Sequence, residues 1–172
     1  DQGPDAPREF VCESDQVAVN PEQAFAGLLK IQCPSEKVIV LSGRRLLPGK
    51  IAAEVDPDLM EWDYGDYEGR RTSDIRAERP GWRLFEDGCP GGETLAELST
   101  RADRVIARIR ALESDVLVFA HGHLLRTLIA RWIALPALEA RRLSLDAASL
   151  SVLGYDHDLD EPVIRLLNDP RQ

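Results

Sequence analysis

The sequence predicts an α/β domain, a mainly parallel β-sheet flanked by helices in three layers. Two continuous apolar runs of strand length, Lys37–Ser42 (KVIVLS) and Asp115–Ala120 (DVLVFA), suit strands buried on both faces, as in a parallel sheet. Between them, Glu93–Glu113 sets Leu95, Leu98, Ala102, Val105, Ile106, Ile109 and Leu112 on one helical face. The elements run β-α-β, an irregular insertion, then α-β-α-β-β, the alternation expected of such a fold.

Each element has its own local cause. Asp1–Pro7, with two prolines and a glycine, reads as a disordered lead-in, and Arg8–Glu13 as a short strand. Asn20-Pro21 is a helix start, an Asn cap with Pro at the first helical position, and Phe25, Leu28, Leu29 and Gln32 continue it at helical spacing. After Lys37–Ser42, Pro48 and Gly49 keep Gly43–Gly49 a basic turn, and Ala53–Val55 suits another short strand. Asp56–Gly92 is loop-rich and aromatic, with one short helix that Thr72 or Ser73 can cap and that runs through Glu78. Beyond His121-Gly122-His123, the residues Leu124, Leu125, Leu128, Ile129, Trp132 and Ile133 form a helix that Pro136 ends. A short helix over Ala137–Arg142 and a hairpin of Ser149–Tyr155 with Pro162–Leu167 complete the chain.

At 172 residues the chain suits a single domain with a sizeable core. Its net charge of −9 argues against nucleic acid as a partner, and no basic stripe is visible. The longest apolar runs are too short to cross a membrane. The widely spaced Cys12, Cys33 and Cys89 form no metal-binding cluster, and the odd count favours reduced thiols and a cytoplasmic setting. No signal-peptide pattern is visible in Asp1–Pro7, and no metal or organic cofactor is implied. The terminal strands could pair with a second copy, giving a homodimer.

The strongest chemical signal is DVLVFAHGH over Asp115–His123. It sets His121 at the carboxyl end of a buried strand, where ligands bind in open α/β sheets. The helix that follows offers free N–H groups to an anion, and Gly122 allows close approach to the backbone. Glu61, in MEWDYGDYEG beside Trp62, is a candidate proton donor. Gly91-Gly92-Glu93-Thr94 reads as an ordinary helix start.

Taken in order, Glu61-x-x-Tyr-Gly-x-Tyr-Glu-Gly, Pro90-Gly-Gly-Glu and a strand ending in His121-Gly-His closely resemble the histidine phosphatase superfamily, and its small phosphoglycerate mutase-like phosphatases in particular. The resemblance implies that His121 contacts a transferred phosphoryl group and that Glu61 delivers a proton to the leaving oxygen. It also implies a first strand ending in Arg-His-Gly-Glu, whose histidine is the nucleophile. The three histidines of this sequence are His121, His123 and His157. Placing Phe10-Val11 on the family's first strand puts Cys12, Glu13, Ser14 and Asp15 at that motif, while Arg44 and Arg45 stand near the position of a second phosphate-binding arginine.

A carboxylate at the nucleophile's place would repel a phosphate ester, at roughly 4 kcal/mol per charge pair about 4 Å apart and an effective dielectric near 20. The expectation is therefore general acid–base chemistry by Glu13, Glu61 and His121, of isomerase, lyase or cyclase type, on a small polar metabolite. Cys12, Arg44, Arg45, Gly122, Trp62 and Tyr64 would border the substrate, with Cys12 as a buried, inert thiol. His123 would orient backbone, and His157 would be solvated. Two alternatives stand beside this reading: a non-catalytic pseudophosphatase that binds a metabolite or a partner protein, and a phosphomonoesterase with an atypical site.

Overall fold

The structure, a computed structural model, describes Gly27–Ile31, Val38–Leu41 and residues 53–112, 115–147 and 149–170. Its strands are β1 (Gly27–Ile31), β2 (Val38–Leu41), β3 (Ala53–Glu54), β4 (Asp115–Ala120), β5 (Leu150–Tyr155) and β6 (Pro162–Asp169). They form one sheet in the order β3-β2-β4-β1-β5-β6. The pairs β2–β3, β2–β4 and β1–β5 are parallel, and β1–β4 and β5–β6 are antiparallel. The helices are α1 (Thr72–Glu78), α2 (Leu84–Asp87), α3 (Leu95–Arg110) and α4 (Gly122–Trp132). Ala137–Arg142 forms the expected short helix, as a 3-10 turn.

One sequence expectation fails here. Gly27–Ile31 belongs to a strand, not to the helix expected from Asn20-Pro21 through Gln32. A short apolar run such as GLLKI fits either period. In the sheet it lies between β4 and β5, with Leu28 opposite Phe119 on one side and Leu150 on the other, so its peptide groups find partners along both edges. A smaller correction concerns α1: Thr72 and Ser73 lie inside it, and its cap residue, Arg71, makes no side-chain capping bond.

The core forms where α3 and α4 pack on β4. Leu98, Ala102, Val105, Ile106 and Ile109 recur at helical spacing on the buried face of α3. They meet Leu124, Leu125, Leu128, Ile129 and Trp132 of α4 and Val116 and Val118 of β4. β4 is not buried equally on both faces: Val116, Val118 and Ala120 are buried, while Leu117 and Phe119 point the other way and are half-buried. Trp132 is anchored by its indole N–H, which donates to the Gly154 carbonyl at 3.2 Å.

The start of α3 is fixed locally. Thr94 accepts the Glu97 N–H at 3.2 Å, and the Glu97 carboxylate accepts the Thr94 N–H at 2.8 Å, a reciprocal capping box. That cap fixes where the helix begins, and so where the preceding glycine pair must lie.

Candidate active site

The site is built where β4 runs into α4. His121 caps α4 in extended backbone geometry, with φ −106° and ψ 168°, and Gly122 is the first helical residue. The first N–H groups of any helix lack partners within it. Here a carboxylate supplies them: Glu61 accepts the His123 N–H at 3.2 Å and the Leu124 N–H at 3.0 Å, and also the Trp62 N–H at 2.9 Å. An anion at this end also meets the positive pole of the helix.

The imidazole that Glu61 meets is that of His123, with Nδ1 3.8 Å from the carboxylate. Tyr64 shares a 2.6 Å hydrogen bond with the same Nδ1. Burial holds the His123 imidazole below its ordinary pKa; Glu61 opposes this and Arg126 adds to it. Burial pushes the Tyr64 phenol well above its ordinary range, with Glu61 and then Glu68 adding to the shift. His123 is thus favoured as the neutral imidazole and Tyr64 as the protonated phenol. Phe85, Trp62 and Tyr64 surround the His123 ring at centroid distances of 5.6, 6.3 and 5.7 Å.

The loop carrying Glu61 is held by contacts that sequence reading missed. Arg101 of α3 donates through Nε and one terminal nitrogen to both oxygens of Glu93, at 2.8 and 2.7 Å. The remaining donors reach the carbonyls of Asp58 (2.8 Å), Met60 (2.7 Å) and Glu61 (3.3 Å). Arg104 and Arg108 bind Asp58 beside it. The Arg104 hydrogen bond, more than any other partner, holds the Asp58 carboxyl below its usual range, against the effect of burial. The signal was present in the sequence, since residues 101, 104 and 108 share one face of a helix.

Two glycines complete the loop. A side chain on Gly92 would place Cβ 2.4 Å from the Asp63 carbonyl, and one on Gly65 would meet Gly92 nitrogen at 2.3 Å. Gly65 also sits at φ +50°. Backbone therefore packs directly on backbone, and the Glu93 N–H donates to Asp63 at 2.9 Å across the junction. The Gly91-Gly92 pair is more than a helix start: it is the surface on which the Glu61 loop lies.

The candidate residues of the sequence fare differently. Glu61, Gly122 and Tyr64 gather at the amino end of α4 with His121, whose ring meets no hydrogen-bond partner among the described residues. Trp62, expected to border a substrate, is 1% exposed, and its indole donates to the Glu93 carbonyl at 2.7 Å. His123, expected only to orient backbone, is the histidine beside Glu61. His157 is solvated in the β5–β6 turn with Asp156 and Glu161, all three exposed. Cys12, Glu13, Arg44 and Arg45 lie outside the described residues. No described helix is long and apolar enough to cross a membrane.

A family model for the histidine phosphatase superfamily (branch 1) matches residues 44–170. The chain belongs to the histidine phosphatase superfamily. An acid phosphatase of Mycobacterium tuberculosis is 37% identical over 147 residues, covering 79% of this chain and 71% of that protein. A sedoheptulose 1,7-bisphosphatase of Saccharomyces cerevisiae is 35% identical over 168 residues, covering 68% of this chain and 62% of that protein. The solved structure of an open-reading-frame product of Mycobacterium tuberculosis is similar at a TM-score of 0.68 and 26% identity, over 86% of this chain and 98% of that one.

For this histidine phosphatase superfamily member, the comparisons overturn the expected function. The two relatives named above are phosphatases, which overturns the expected isomerase, lyase or cyclase chemistry by Glu13, Glu61 and His121. Neither the pseudophosphatase reading nor an absent phosphohistidine mechanism finds support in them. Charge repulsion at positions 12–15 is a local argument from residues outside the described structure, whereas the pattern from Glu61 to His121 lies within the matched segment.

Proposed function

We propose that the chain is a phosphatase of small phosphate monoesters, working at the junction of β4 and α4. The observation that carries the reading is the attachment of the Glu61 carboxylate to the first N–H groups after His121-Gly122. Acid and strand-end histidine thereby share one helix start. The names of the relatives, an acid phosphatase and a sugar bisphosphatase, support the same reaction class.

In this reading His121 contacts the phosphoryl group beyond the end of β4, and water is its final acceptor, forming the new P–O bond as the ester bond breaks. Glu61 supplies a proton to the leaving oxygen, a step that typically contributes 10²–10⁴-fold. His123 and Tyr64, linked to each other and beside Glu61, are the groups through which that proton is replaced.

The test is hydrolysis of two esters by the purified chain. p-Nitrophenyl phosphate has a leaving group that departs without a proton, whereas glycerol 2-phosphate releases an alkoxide that needs one. His121→Ala is expected to depress kcat on both by at least about 10²-fold. Glu61→Gln is expected to depress glycerol 2-phosphate turnover by about 10²-fold or more and p-nitrophenyl phosphate turnover far less. A wild-type chain that hydrolyses neither ester, or a Glu61→Gln variant with the same loss on both, refutes the reading.

A further inference from the structure

The hairpin that joins β5 to β6 turns through Asp156–Glu161, a segment with four carboxylates, one histidine and no lysine or arginine. Its backbone is closed from within. The Asp156 N–H donates to the Glu161 carbonyl at 2.9 Å, and the Glu161 N–H to the Asp158 carbonyl at 3.2 Å. The Asp158 side chain accepts the Asp160 N–H at 2.8 Å. These bonds set the first and last residues of the turn opposite each other.

The His157 imidazole stands between those two residues. Its Nδ1 lies 2.8 Å from a Glu161 oxygen and 3.2 Å from an Asp156 oxygen. One nitrogen and two carboxylate oxygens thus lie within 4.8 Å of one another. Among the described residues no lysine or arginine comes within ion-pair distance of Asp156 or Glu161, so neither carboxylate is committed to a fixed cation.

The donor set and its spacing select the ligand. A divalent ion held at about 2.0–2.2 Å by nitrogen and oxygen separates neighbouring donors by about 3.0–3.4 Å, from octahedral to tetrahedral angles. The two distances at Nδ1 lie close to that range, so side-chain rotation is enough to complete the shell. The imidazole is the informative member. Calcium and magnesium are hard ions that take oxygen ligands, whereas imidazole suits zinc and its first-row neighbours. All three side chains are exposed, which gives an ion access and leaves its remaining positions to water.

We propose that Asp156, His157 and Glu161 form a site for a zinc-class divalent cation, which ties the two ends of the turn together. The site goes beyond the phosphatase reading and does not rest on it. Leu159 and Asp160 of the same turn border a cavity with Trp132 and Ala134 at the carboxyl end of α4. His121 and Glu61 meet at its amino end, and the 11 residues of that helix span about 16 Å. The ion is structural here and takes no part in ester hydrolysis.

The experiment titrates Co²⁺ into the purified full chain, stripped of metal by a chelator, and follows the visible d–d absorption. Cobalt takes zinc's ligands and reports them: thiolates add a charge-transfer band in the near ultraviolet, and nitrogen and oxygen ligands do not. The wild type is expected to bind a single equivalent without a thiolate band, and to release it to Zn²⁺ but not to a large excess of Mg²⁺ or Ca²⁺. Loss of a residue that merely supports a metal ligand typically costs about 10–100-fold in affinity. His157→Ala and the double variant Asp156→Asn/Glu161→Gln are each expected to lose at least about tenfold. Zn²⁺ should raise the Tm of the wild type and leave that of both variants unchanged, because binding to the folded state alone stabilises it. Melting of the metal-free variants at the wild-type temperature separates lost ligation from misfolding. A chain that binds no cobalt, binding that survives either variant, or a thiolate band at the first equivalent overturns the proposal. Equal displacement by Ca²⁺ overturns it too, since the turn is then a plain acidic cluster.

Discussion

Replacing Arg101 with Met tests how the Glu61 loop is held. The arginine and its partner Glu93 are only 12% and 14% exposed, and the guanidinium makes two bonds to the carboxylate and three to carbonyls of residues 58, 60 and 61. Arg101→Met keeps the volume but leaves Glu93 as an uncompensated, largely buried anion. Breaking one side of such a pair typically costs about 3–5 kcal/mol. At the scale of a domain this size, that lowers Tm by on the order of 10 °C. The double variant Arg101→Met/Glu93→Met removes both charges and is expected to recover part of the loss, because an apolar pair of similar volume is often no worse than a buried ion pair. Activity should not recover with stability, since the three carbonyls remain unheld. A displacement of about 1 Å at a catalytic group can cost about 10²-fold. Differential scanning calorimetry and glycerol 2-phosphate kinetics on the four corners of the cycle give both numbers. If Arg101→Met melts within about 1 kcal/mol of wild type and turns over normally, the loop is held by something else and the reasoning fails.

Three further outcomes are expected. Gly92→Ala forces Cβ to within 2.4 Å of the Asp63 carbonyl, so it should cost about 1–3 kcal/mol on chemical denaturation and depress turnover, whereas alanine at Gly69, which meets nothing within 4 Å, should leave turnover unchanged. His123 has a folded pKa below its unfolded value near 6.5, so the unfolded chain binds the proton first on acidification. Its contribution is present above about pH 6.5 and is lost as pH falls through the folded pKa; urea titrations should show a slope of at most about 1.4 kcal/mol per pH unit in that window, absent in His123→Gln. Burial, followed by Glu68 and Asp63, pushes the Cys89 thiol up to about 11, so Cys89 should resist thiol reagents at pH 8 and react as pH approaches that value, readable by mass spectrometry of the labelled peptide.

The sequence by itself determined the local and periodic features. The run DVLVFA fixed β4, the spacing from Leu98 to Ile109 fixed α3 and its buried face, and His121-Gly122 fixed the strand-to-helix junction. The motif order from Glu61 to His121 was enough to indicate the family, because residue identity and order along the chain are legible without knowing what each residue touches. Tertiary structure decided what depends on distant residues meeting. GLLKI became a strand because a place between β4 and β5 bonds both of its edges, which no local propensity encodes. Glu61 could be read as an acid, but its attachment to the N–H groups of His123 and Leu124 spans more than sixty residues. The same holds for Tyr64 with His123 and for Arg101 with the carbonyls of the Glu61 loop. Charge and hydrogen bonding act through space, so their partners become visible only when the chain is folded.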